Sequence, residues 1–83
     1  MTDLDAIDII EGDDSQTTDE QQRAAWQALV DSGTVWHLQG FYGRTAARML
    51  DAGILRPATV EHTDAYGNRL PANVWPPNGG RHE

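Results

Sequence analysis

The sequence contains no cysteine, no lysine and no long run of apolar residues. Without cysteine the chain forms no disulfide and offers no thiolate as a metal ligand or nucleophile. No apolar stretch approaches the roughly 20 residues that a membrane-spanning helix needs. The first ten residues also lack the basic start and apolar core of a signal peptide. We therefore expect a soluble protein that does not bind membranes and stays in the cytoplasm of the cell that makes it.

The negative charge is concentrated at the N-terminus. The 83 residues carry a net charge of −7, and eight of the 13 acidic residues fall within positions 1–20, where there is no arginine. The rest of the chain has six arginines against five acidic residues and is close to neutral. A chain of this length is one small domain with a limited core. Its acidity argues against indiscriminate binding to phosphates.

Helix-start signals followed by apolar residues at helical spacing predict three helices, over 3–11, 19–31 and 41–52. Thr2 is a suitable N-cap for the first helix. The second begins with the spacing of a capping box, formed by either Thr17 or Thr18. Gly33 and Gly53 end the second and third helices. The segment 34–40 is too short to show a period and is interpreted as a turn or one helical turn.

Residues 56–83 have a different character, since threonine and valine favour strands and "DAYGN" is a turn signal. They predict either a hairpin, with strands at 58–63 and 68–74, or a loose tail. The fold class is therefore all-α, with a three-helix domain over 1–55 and a C-terminal hairpin or tail over 56–83. The predicted core consists of apolar side chains on the helices and their connections: Leu4, Ile7, Ile10, Trp26, Leu29, Val30, Val35, Trp36, Leu38, Tyr42, Ala46, Met49, Leu50, Ile54 and Leu55.

The residues that usually carry chemistry are not arranged as a catalytic or metal site. His37, His62 and His82 have no ligand-spaced partner on a predicted element. Gly40 and Gly43 lack the preceding strand and the lysine of a phosphate-binding loop. We therefore expect no enzymatic activity, no cofactor and no bound metal.

Two kinds of recognition remain. Two helices joined by a tight connection and followed by a hairpin have the outline of a winged helix, in which Arg44 and Arg48 would enter the major groove and Arg69 would contact the DNA backbone. Alternatively, Phe41 lies on the same helix face as the two arginines, and aromatic side chains with arginine are typical of protein-interaction hot spots. A third possibility is that the acidic N-terminal arm imitates DNA.

The segments "MTDLDAIDII", "TDEQQ", "LVDSG" and "VWHLQGFYGRTAARMLDAG" resemble a family of small proteins found in actinobacteriophages, of the mycobacteriophage type. The resemblance covers roughly residues 1–55 and implies a compact helical unit of phage origin. The family is of unknown function, so it supplies no site residues. The leading hypothesis is a non-enzymatic phage accessory protein that binds a host or phage protein in the host cytoplasm. DNA binding is the first alternative, and an acidic DNA-mimic inhibitor is the second.

Overall fold

The computed structural model describes residues 2–12, 17–38 and 40–77. Helix α1 spans Asp3–Glu11, α2 spans Asp19–Ser32 and α3 spans Gly40–Asp51, with a short 3₁₀ helix at Thr34–His37 between α2 and α3. Two short antiparallel strands follow, β1 at His62–Thr63 and β2 at Arg69–Leu70. The predicted class, three helices with a C-terminal hairpin, is confirmed. The tail beyond Pro77, which includes His82, lies outside the described residues.

Side-chain caps start the first two helices. The Thr2 hydroxyl accepts from the amide of Asp5, while the Asp5 carboxylate accepts from the amide of Thr2. At α2 the same reciprocal pair forms between Thr18 and Gln21, which settles the choice between Thr17 and Thr18. Each box satisfies amides that have no partner inside the helix. The start positions of α1 and α2 are therefore encoded locally.

Polar contacts at both ends hold α1 against α2. The Asp3 carboxylate accepts from the hydroxyls of Ser32, at 2.9 Å, and Thr34. At the other end of α1, the side-chain amide of Gln22 donates to the backbone carbonyl of Ile9 at 2.7 Å. The start of α1 thus meets the end of α2, and the end of α1 meets the start of α2. The two helices are antiparallel.

Helix α3 ends in a Schellman motif. Gly53 has a φ of 78°, its amide donates to the carbonyl of Leu50 at 3.1 Å, and the Ile54 amide donates to the carbonyl of Met49 at 2.9 Å. This pairing of 5→2 and 6→1 bonds satisfies carbonyls that the helix leaves open, and it brings Ile54 beside Met49. Ile54 therefore stays at the helix end and does not enter the core.

The segment after α3 packs on the helices. The Gln27 side chain donates to the carbonyl of Arg56 and accepts from its amide, both at 3.0 Å. The Trp75 ring stacks on Trp36 with centroids 5.6 Å apart, and its indole N–H donates to Asp51 at 2.8 Å. The strands are only two residues long, shorter than predicted. These contacts, rather than an extended ladder, hold the C-terminal segment in place.

The core lies where α1, the inner face of α2, the 3₁₀ turn and α3 meet. Leu29, Val30 and Val35 are its largest fully buried side chains. Two predicted core residues are wrong: Leu4 is 74% exposed and Ile54 is 49% exposed. Helix α1 instead buries Ala6, a small residue that allows close approach to α2. Since Leu4 lies two positions from Ala6, it points to the opposite side of the helix.

Two polar residues on the outer edge of α2 bind the segment that follows α3. Gln27 bonds the Arg56 backbone, and Asp31 forms an ion pair with the Arg56 guanidinium at 3.3 Å. The chain crosses this edge of α2 directly after the Schellman motif at Gly53 has ended α3. None of the helices in the described ranges is long and apolar enough to cross a membrane.

Candidate interaction surface

Helix α3 brings three of the four predicted site residues onto one face. Phe41, Arg44 and Arg48 are separated by three and four positions, so they lie on successive turns of the same side. All three are exposed, while Tyr42, Ala46 and Leu50 face the core. The fourth residue, Arg69, lies on β2 and pairs with Glu61 at 3.5 Å. Arg69 therefore lies on a different element from the three α3 residues and is already paired with a carboxylate.

Phe41 is exposed but fixed in position. Its side chain is 46% exposed, and its ring meets Trp26 edge to face with centroids 6.4 Å apart. The ring also lies 4.6 Å from the centroid of Tyr42. Edge-to-face and tilted arrangements are favoured by the aromatic quadrupole. Phe41 is therefore a held aromatic anchor whose outer face remains in solvent.

Phe41 packs against the buried Tyr42, which is itself held by a hydrogen bond. Its hydroxyl donates to the carboxylate of Glu11, at the end of α1. Burial, followed by this hydrogen bond and the charge of Glu11, raises the pKa of Tyr42 to about 12. The phenol therefore remains protonated and able to donate at neutral pH. The contact holds α1 against α3 directly behind Phe41.

A shallow depression lies between α2 and the end of α3, next to the Trp26 ring that Phe41 contacts. It has a volume of about 480 Å³ and is lined by Asp19, Glu20, Gln22, Arg23, Trp26, Met49 and Ile54. Met49 is partly buried, and Ile54 is about half exposed because of its place in the Schellman motif. Phe41, Trp26, Met49 and Ile54 together form an apolar strip, called here the α2–α3 surface. Sequence reasoning missed Ile54 by assigning it to the core, although "AGI" at a helix end is the signal for that exposed position.

Charges of both signs border the α2–α3 surface. Among the residues that the structure describes, Arg56 pairs with Asp31 and Arg69 pairs with Glu61, whereas Arg23, Arg44 and Arg48 have no carboxylate within ion-pair distance. Arg44 and Arg48 share the α3 face with Phe41, while Arg23 lines the depression together with Asp19 and Glu20. The positive charge is thus concentrated on the α3 side of the surface, and the α2 side carries both signs.

The two described histidines act as hydrogen-bond donors to the backbone. The Nε2 of His37 lies 2.6 Å from the carbonyl oxygen of Thr63, and the Nε2 of His62 lies 2.8 Å from that of Asp31. Because carbonyls only accept, Nε2 carries the hydrogen in both rings. In the described part of the chain no group of three or more metal-ligating side chains is close enough to hold an ion.

The chain belongs to the DUF7417 family, a domain of unknown function, whose profile matches residues 1–69. The match extends past the three helices to the first residue of β2, so the family includes the hairpin turn as well as the helical unit. No curated protein and no solved structure shows significant similarity to the chain.

Proposed function

We propose that this protein is a non-enzymatic interaction module that binds a partner protein through the α2–α3 surface. The observation that carries the proposal is Phe41, which is half exposed yet held by Trp26. It shares its helix face with Arg44 and Arg48, which have no carboxylate within ion-pair distance among the described residues. A held ring loses little conformational entropy on binding. Aromatic anchors and arginine are the residues most enriched in interface hot spots.

The chemistry of the surface describes the partner. An apolar centre needs an apolar counterpart, and Arg44 and Arg48 favour carboxylates on the side of that counterpart that faces α3. Asp19 and Glu20 lie beside Arg23 on the α2 side and disfavour carboxylates there. The proposed partner surface therefore has a hydrophobic patch with acidic side chains along the edge that faces α3. The sequence resemblance to actinobacteriophage proteins supports a phage accessory role, in which this partner is a host or phage protein in the host cytoplasm.

Pull-down from an actinobacterial lysate tests the proposal when matched variants are compared. The wild-type chain is expected to capture a protein that both Phe41→Ala and Ile54→Ser lose. Val60→Ser is the control because Val60 is 54% exposed but lies on the segment before β1, outside the α2–α3 surface. Circular dichroism of each variant serves as the control for correct folding. Equal capture by all four proteins would contradict the proposal that the partner binds through the α2–α3 surface.

DNA binding is the second candidate, favoured by Arg44 and Arg48 on α3, which are exposed and form no ion pair with any described residue. Two such side chains one turn apart suit contacts with bases or phosphates. The pair between Arg69 and Glu61 weighs against the predicted third contact, since Arg69 would have to leave its partner. A gel shift with random duplex at low salt tests this candidate. A complex at micromolar protein that the double variant Arg44→Ala, Arg48→Ala abolishes would favour DNA over a protein partner.

A further inference from the structure

A second groove lies on another side of α3, between its first turns and the turn of the hairpin. It has a volume of about 290 Å³, and its lining includes Trp36, Leu38, Gly43, Arg44, Ala47 and Tyr66. We call it the Gly43 groove. Gly43 and Ala47 lie one turn apart on a face of α3 that does not include Phe41. The Gly43 groove therefore lies on a different face of α3 from Phe41, and Arg44 stands at the border between the two.

The presence of glycine at position 43 is not explained by the packing of the chain. Gly43 lies inside α3 and is not among the residues with a positive φ. A Cβ built on it would make an ordinary contact, at 3.8 Å from Cε3 of Trp36. Glycine weakens a helix relative to alanine because it loses more backbone freedom on folding. Gly43 thus reduces stability while keeping the groove open.

Arg44 supplies the positive charge of the groove, and no carboxylate in the described part of the chain lies within ion-pair distance of it. A Cβ on Gly40 would lie 2.9 Å from Nη1 of Arg44, so the guanidinium rests over the first residue of α3. The other charged lining residue, Asp64, already accepts from the amides of Tyr66 and Asn68, both at 2.9 Å. The carboxylate of Asp64 is therefore occupied by its own turn, and no acidic residue lies in the first turn of α3. The groove combines apolar walls with the guanidinium of Arg44 and the carboxylate of Asp64, whose oxygens are bound within its own turn.

We propose that the Gly43 groove binds the C-terminal residue of a partner polypeptide, with its apolar side chain against Trp36 and Gly43 and its carboxylate on Arg44. The volume is at the lower limit of ligand pockets, which suits one residue and not a long segment. A single residue of a polypeptide carries both an apolar side chain and a free backbone carboxylate only at the C-terminus. Arginine pairs with carboxylates through two parallel hydrogen bonds. This proposal does not depend on the α2–α3 surface.

Titration of the ¹⁵N-labelled full chain followed by amide NMR tests the proposal. The probes are a pentapeptide ending in phenylalanine with a free carboxylate and the same peptide amidated. Saturable shifts of the Gly40, Gly43 and Arg44 amides are expected with the free acid. Affinity is expected to fall tenfold or more with the amidated peptide, since a charge-assisted bond is lost. Arg44→Gln is expected to remove the difference between the two peptides.

Variants at position 43 separate binding from folding. Gly43→Ala is expected to raise the Tm by roughly 2–8 °C while weakening peptide binding, and Gly43→Leu is expected to abolish binding. Ala24→Leu, on the exposed side of α2, is the matched control and is expected to bind like the wild type.

Four results would overturn the proposal. The first is the absence of saturable shifts up to about 10 mM peptide, and the second is equal binding of the acid and the amide. The third is a lower Tm of Gly43→Ala, because Gly43 would then serve the packing of the chain. The fourth is binding of 3-phenylpropionate without binding of the peptide, which would make the occupant a small acid and not a polypeptide.

Discussion

Two glycines with the same backbone conformation allow the docking of the hairpin to be measured. Gly33 ends α2 with a φ of 81°, and Gly53 ends α3 with a φ of 78°. A Cβ on Gly53 would meet nothing within 4 Å, whereas one on Gly33 would lie 2.5 Å from Nδ1 of His62. Alanine at either position strains the left-handed backbone. At Gly33 alone it also displaces the His62 ring.

The contacts of the two glycines set the expected difference in unfolding free energy between Gly33→Ala and Gly53→Ala. The left-handed conformation costs an alanine about 1–2 kcal/mol, which is the expected loss of unfolding free energy for Gly53→Ala. Gly33→Ala is expected to lose about 2 kcal/mol more. It breaks the hydrogen bond from His62 to the Asp31 carbonyl, worth about 1 kcal/mol, and it forces the hairpin to repack at a cost of about 1 kcal/mol or more. Urea unfolding followed by tryptophan fluorescence measures both losses.

A double-mutant cycle assigns the extra loss to His62. In a His62→Ala background, Gly33→Ala is expected to cost no more than Gly53→Ala, since the ring that it displaces is gone. If Gly33→Ala and Gly53→Ala differ by less than about 0.5 kcal/mol in the wild-type background, the reasoning fails. It fails equally if the extra loss persists without His62. The hairpin would then not be held against the end of α2 as the structure shows.

Two further predictions concern α1 and its contact with α3. Leu4→Gln is expected to change the unfolding free energy by less than about 0.5 kcal/mol because Leu4 is 74% exposed. A loss of unfolding free energy above about 2 kcal/mol in urea would show that the Leu4 side chain is buried in the core. Because the pKa of Tyr42 is raised to about 12 in the folded chain, against about 10 when unfolded, the folded state binds the phenolic proton more tightly. Stability is therefore expected to be retained below pH 10 and to fall as the pH rises from about 10 to about 12. Thermal unfolding across this pH range measures the fall in stability. If Tyr42→Phe shows the same dependence of stability on pH, the fall is not caused by the Tyr42 phenol.

The C-terminal segment is attached mainly by polar side chains and one aromatic stack. Gln27 binds the backbone of Arg56, His62 caps the end of α2, and Trp75 stacks on Trp36. The strands contribute little, since each has two residues. This arrangement places the hairpin turn, with the fully accessible Tyr66, beside α3. The Gly43 groove exists because the C-terminal segment is docked in this way.

Local sequence was sufficient for the helices. Thr2, Thr18, Gly33 and Gly53 mark helix ends by interactions within a few residues, so the bounds of all three helices were predicted to within one residue. The face of α3 that carries Phe41 and the arginines followed from helical spacing in the same way. These features depend on neighbours along the chain, and the sequence contains those neighbours.

Contacts between distant residues were decided by the tertiary structure. Periodicity allowed Leu4 into the core because an apolar stripe of α1 does not reveal which of its sides meets α2, and close packing through Ala6 chose the other side. The stack of Trp75 on Trp36 likewise depends on where the chain returns after α3. The sequence by itself determined the helices and the face of α3 that carries Phe41, Arg44 and Arg48. Only the packing of the C-terminal segment, through contacts 24 to 31 positions apart, decided which helix residues border a groove.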